Sequence, residues 1–157
     1  MNYSKGRKIY ITISAILVVA VAVIIFYLSA QNGEESSSTS GFFTKLVTAL
    51  AGRPVKESVV RSLAHFCEFA GLGLLVANLF FAIKDNLKPF LSIILSSGYA
   101  ITDEIHQIFV PGRACQLTDL AIDICGIVLG VVVFCVLIFI KCKAQNAKLI
   151  RTLHHPE

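Results

Sequence analysis

Four long apolar runs organise the chain: Ile9–Leu28, Leu63–Ile83, Phe90–Phe109 and Thr118–Ile140. Each approaches the ~20 residues that an α-helix needs to cross a hydrocarbon layer. The second run keeps that character despite His65, Glu68 and Asn78, and the third despite a polar end. The pattern predicts four membrane helices in one domain over residues 1–157, with residues 141–157 as a tail. Between the first two runs the chain turns polar, with a Ser-rich stretch at Ser36–Ser40. Phe42, Phe43, Leu46, Val47 and Leu50 then recur at helical spacing between Gly41 and Gly52. That spacing predicts a short amphipathic helix lying on the membrane surface. Pro54 suits a first helical turn, so the second helix is expected to start near Val55.

Composition agrees with this pattern. The chain is 55% hydrophobic and 15% charged, with a mean hydropathy of +0.75, which excludes an ordinary soluble domain of this size. The net charge of +4 is spread along the chain without interleaved aromatics, so nucleic acid is not an expected partner. Instead the charge reads as topology. Lys5, Arg7, Lys8, Lys84, Lys88, Lys141, Lys143, Lys148 and Arg151 fall on one side of a four-span arrangement. Lys45, Arg53, Lys56, Arg61 and Arg113 fall on the other, spread over a longer total length. The positive-inside rule then places both termini in the cytoplasm and Gln31–Arg61 outside it. The first run exceeds the usual apolar core of a signal peptide and no A-x-A site follows it, so it is read as a retained span. The five cysteines form no CxxC pair or zinc spacing, and no disulfide is expected.

The polar residues within the spans carry the chemistry. Arg61, His65 and Glu68 are spaced i, i+4, i+7 and share a helix face. Asp103, His106 and Gln107 share another, with Glu104 beside it. Asp119 and Asp123 are spaced i, i+4 on the fourth helix. At 1.5 Å rise per residue, Glu68, Asp103 and Asp123 each sit roughly 7–10 Å inside the outer end of their helix. Ser29 and Gln31 leave the first helix at the same face. Arg113, in a Pro-Gly turn, is the expected partner of the acids. The expectation is one outward-opening polar pocket. So many ionisable groups inside a membrane read by default as a functional site.

Such a pocket has several candidate uses. Two histidines and several carboxylates are hard-to-borderline donors compatible with a divalent metal, but HxxE and DExHQ lack the HExxH spacing, so no metal ligand is assigned. Asp103, Glu104, His106, His65 and Glu68 are candidate general acid/base groups. Local explanations compete at some positions. Arg61 can snorkel at a helix end, and Asp119 can complement the helix dipole. Gly126 and Gly130 form a GxxxG packing motif, and Asn78 suits an interhelical hydrogen bond.

These residues resemble the VanZ-like family of small bacterial membrane proteins. The resemblance runs from about Ser29 to Gly130. It comprises Ser29-x-Gln31, Arg61-x3-His65-Phe66-x-Glu68, and Tyr99-Ala-x-x-Asp103-Glu104-x-His106-Gln107 running into Phe109-Val110-Pro111-Gly112-Arg113. Asp119-x3-Asp123-x2-Gly126-x3-Gly130 completes it. The resemblance implies an all-α, integral-membrane four-helix bundle in the bacterial cytoplasmic membrane, and its name-giving member is associated with teicoplanin resistance. The expected partners are membrane lipid and, at the pocket, a lipid-linked wall precursor, a glycopeptide or another lipid headgroup. The expected ligand-binding residues are Ser29, Gln31, Arg61, His65, Glu68, Asp103, Glu104, His106, Gln107, Arg113, Asp119 and Asp123. The alternative is a metal- or acid/base-dependent hydrolase or transferase acting on a lipid-linked substrate. A proton-coupled transporter fits less well, since no charge lies in the cytoplasmic half of the spans.

Overall fold

A computed structural model describes residues 3–31, 41, 44–50, 52–112 and 116–154. Among these the structure is all-α, with no strand. Four long helices, α1 (Lys5–Ser29), α2 (Glu57–Lys84), α3 (Pro89–Gln107) and α4 (Leu117–His154), follow one another along the chain. Residues 44–50 form a short helix between α1 and α2, where the amphipathic helix is expected; Phe42 and Phe43 lie outside the described residues.

Local chemistry sets most of the boundaries. Ser4 caps α1 by accepting a hydrogen bond from the Arg7 N–H at 3.3 Å, so the helix starts ahead of the apolar run. Pro89 occupies the first turn of α3, a position where its missing N–H costs nothing. Pro54, by contrast, lies ahead of α2, which begins at Glu57 rather than near Val55. There the Val55 N–H is held by the Thr48 hydroxyl at 3.2 Å, and Lys56 remains extended. The residues expected as a tail are helical up to His154. Residues 141–154 continue α4 without a break. The apolar run ends at Ile140, but Lys141–Ala147 consists largely of good helix formers, and no Gly or Pro intervenes before Pro156. Loss of apolarity ends a membrane-compatible stretch; it does not end a helix.

Among the described residues, three helices are long and apolar enough to cross a membrane: Lys5–Ser29, Ser58–Lys84 and Leu117–Ala147. The fourth expected span, α3, has 19 residues, but Asp103, Glu104, His106 and Gln107 occupy its last turns and lower its apolarity. Its helix also stops short of Phe109. The N–H groups of Ile108, Phe109 and Val110 tighten onto the carbonyls of Ile105, His106 and Gln107 at 3.0–3.2 Å.

The outward faces are apolar: Val23 is 60%, Ile94 66% and Phe139 67% exposed. Inside, Ile25, Phe69, Leu72, Ala100, Ile127, Val131 and Phe134 are buried alongside Ser14, Ser29, Ser92, Ser96, Asp103, Glu104, Gln107 and Asp123. Apolar surface outside and polar groups within is the pattern of a protein dissolved in lipid. α2 and α4 form the most extensive interface and run parallel, with Phe66 opposite Gly126, Ala70 opposite Gly130 and Phe81 beside Phe134. The GxxxG motif explains how close they come. A Cβ added to Gly126 or Gly130 would collide with the carbonyl oxygen of Phe66 or Ala70, and one on Gly73 would fall 2.6 Å from the Ile127 carbonyl oxygen.

Contacts at both ends of α1 order the remaining helices. Near its start, Tyr3 donates to the Ile83 carbonyl at 3.0 Å. Arg7 spans the end of α2, donating to the carbonyls of Ala82 at 3.1 Å and Ile83 at 3.4 Å, with Asp85 at 3.6 Å. A guanidinium there satisfies carbonyls that the helix end leaves open and complements its dipole. Asn78 links Tyr10 to Ser14, accepting from the tyrosine hydroxyl and donating to the serine at 2.9 Å, the interhelical role expected of it. Further along, Tyr99 of α3 donates to the Ala22 carbonyl at 2.6 Å. α1 is thus antiparallel to α2 and parallel to α3.

Candidate functional site

This arrangement brings the C-terminal ends of α1 and α3 together with the N-terminal ends of α2 and α4. Ser29, His65, Asp103 and Asp123 therefore meet at one end of the molecule. Asp103 is 3%, Glu104 2% and Asp123 0% exposed, and Ser29 and Gln107 are buried with them. Gln31, Arg61, His65, Glu68, His106 and Asp119 are half-buried. Asp103, Glu104 and Asp123 thus form a buried acidic core at this end. Arg113, the expected partner of these acids, lies outside the described residues.

Asp103 joins two helices. One carboxylate oxygen accepts from Ser29 Oγ at 2.8 Å and from Gln107 Nε2 at 3.1 Å. The first bond joins α1 to α3; the second comes from one turn later on the same helix. Glu104 accepts the Gln116 backbone N–H at 3.0 Å, immediately before α4. Helix starts leave N–H groups open and favour negative charge, so this acid ties the end of α3 to the start of α4. Asp119 lies in the first turn of α4, as its dipole reading requires.

Asp123 has the barest surroundings. His65 Nδ1 stands 3.6 Å from one of its oxygens, longer than a good hydrogen bond. Neither oxygen accepts a hydrogen bond among the described residues, nor does the second oxygen of Asp103. Asp123 lies within electrostatic reach of Glu104, Asp103, Asp119 and Glu68. The five carboxylates picked out by spacing alone thus converge. Among the described residues, however, no three His, Cys, Asp or Glu side chains are arranged to hold a metal ion.

Aromatic rings complete the walls. Phe26 lies against His106 with ring centroids 4.5 Å apart, and Phe69 sits between His65 and Tyr99 at 6.5 and 6.2 Å. Phe26, Phe69 and Tyr99 are not among the expected site residues. The position of Tyr99, four residues before Asp103 on the same helix face, was the available signal. The Gln116 backbone contact left no trace in the side-chain pattern. At the opposite end, a cleft of about 300 Å³ is lined by Gly6, Arg7, Tyr10, Phe81, Ala82 and Asp85. Its Arg7 is already engaged by the end of α2.

Long apolar helices with apolar outer faces and acids gathered at one buried end define a membrane protein with a buried acidic cluster. Residues 14–139 match the family model described as VanZ/LLP1. The match covers most of the chain and includes every acid of the cluster, and the chain belongs to that family. Neither a curated protein nor a solved structure matches it.

Proposed function

We propose that this VanZ/LLP1-family protein acts in the bacterial cell envelope by engaging a polar headgroup at its acidic end. The candidate ligands are a glycopeptide such as teicoplanin, a lipid-linked wall precursor, or another lipid headgroup. In this reading the protein is a four-helix bundle of the cytoplasmic membrane with both termini in the cytoplasm, and the acidic end opens outward. One observation carries it: Asp103, Glu104 and Asp123, from two different helices, are buried together at one end of an apolar molecule. Charge held at that depth is costly, and packing alone gains nothing from it. Ser29, His65, Glu68, His106, Gln107 and Asp119 are the groups proposed to supply donors and acceptors for a ligand; Gln31, Arg61 and Arg113 join them on sequence grounds.

A catalytic reading draws on the contact between His65 and Asp123, which supplies groups for acid/base chemistry in a hydrolase or transferase. One experiment separates the two. Purified protein is incubated with labelled lipid-linked wall precursor and with teicoplanin, with and without divalent metal, and both retention and product are measured. A binding protein retains ligand without forming product, and Asp103→Asn or Glu104→Gln weakens retention. An enzyme forms product, and the same changes abolish turnover while the headgroup still binds. Product formation by the parent protein that Asp103→Asn removes would overturn the binding reading.

A further inference from the structure

The state of the buried oxygens narrows the ligand chemistry, given the reading above that this end engages a headgroup. Charge is the first constraint. Glu68, Asp103, Glu104, Asp119 and Asp123 outnumber Arg61 and Arg113, the two arginines that flank them in the sequence. A bare phosphate entering this cluster would meet like charge; a cation would not. Hydrogen bonding is the second constraint. Asp123 is fully buried, and both of its oxygens, with the second oxygen of Asp103, still lack donors among the described residues. Acceptors buried in this state call for an N–H or O–H group. The third constraint is geometry, since no three side chains among the described residues are set to hold a metal ion.

We infer that the acidic end takes a protonated primary amine, an alkylammonium group whose N–H bonds reach Asp123 and Asp103. A primary ammonium combines positive charge with three donors on a compact centre. A quaternary ammonium has the charge without the donors, and a sugar hydroxyl has the donor without the charge. The amine can belong to a lipid headgroup, as in phosphatidylethanolamine, or to a soluble amino compound.

The test uses the full chain in detergent micelles with labelled phosphatidylethanolamine, phosphatidylcholine or phosphatidylglycerol. Free ethanolamine and glucosamine serve as soluble competitors. The parent protein is expected to retain phosphatidylethanolamine about tenfold more tightly than the other two, the scale of charge-assisted hydrogen bonds gained or lost. Ethanolamine should compete, and Asp123→Asn should erase the preference. Asp103→Asn provides a second variant, and competition on the parent protein requires none. Tight glucosamine binding without phosphatidylethanolamine retention would support the amine chemistry and assign it a soluble source. Asp123-dependent retention of phosphatidylglycerol or of the lipid-linked precursor, without a preference for amines, would overturn the ammonium inference and leave the headgroup reading standing. Retention of wall precursor, glycopeptide and all three lipids that is indifferent to both Asp123 and Asp103 would overturn both.

Discussion

Gly130→Ala is expected to force α2 and α4 apart. A Cβ built at Gly130 falls 2.8 Å from the Ala70 carbonyl carbon and 3.0 Å from the Leu74 nitrogen, and lies closer still to the Ala70 oxygen. All three atoms belong to backbone, so no side chain can rotate away. Overpacking of this kind typically costs ~1–3 kcal/mol. Replacing glycine by alanine in a helix returns up to about 1 kcal/mol. The obstruction here is rigid, so the packing term should dominate, leaving a net loss of roughly 1–2 kcal/mol. For a chain of this size that corresponds to roughly 2–8 °C in apparent Tm. Gly71→Ala and Gly98→Ala are the controls, because nothing lies within 4 Å of a Cβ at either position. The assay is thermal unfolding of the purified variants in one detergent, followed by circular dichroism. Gly130→Ala should melt below the parent, with both controls at or above it. A Gly130→Ala protein as stable as its controls would refute the close α2–α4 seam.

Three further tests address other parts of the molecule. Asn78→Leu removes both the Tyr10 and Ser14 links and should cost ~0.5–2 kcal/mol, the range of interhelical hydrogen bonds in membranes; an unchanged melting temperature would show that the links add nothing. Arg7→Lys loses the fork that spans two carbonyls and should cost about 1 kcal/mol, read as faster hydrogen exchange at the ends of α1 and α2; unaltered exchange would deny Arg7 its clamping role. For the orientation, an impermeant thiol reagent on intact cells should modify Cys115 and leave Cys142 untouched, and the reverse pattern would invert the proposed topology.

Local information carried much of this protein. Apolar run length located all four long helices, because crossing or facing hydrocarbon demands sustained apolarity that little else in a chain produces. Helical periodicity grouped His65 with Glu68 and Asp119 with Asp123, because i, i+3 and i, i+4 neighbours share a face whatever the helix packs against. Depth counted from the helix ends brought Glu68, Asp103 and Asp123 to one level. The same reasoning bounded the last apolar span at Ile140 and did not reach the helical continuation beyond it, because apolarity reports the solvent around a helix and not the residues that stop it.

Pairing between helices was decided by the tertiary structure. Ser29 reaches Asp103 across 74 residues of chain, and Glu104 binds the backbone at the start of α4. Arg7, which reads in the sequence as one more topogenic charge, closes the end of α2. Each of these contacts depends on the rotation of one helix relative to another and on their separation, which the glycine seam sets for α2 and α4. The sequence by itself determined which acids could gather at one end of the molecule. Which of them find donors, and that Asp123 is left without one among the described residues, follows from how the helices turn toward each other, a property no single helix carries in its own spacing.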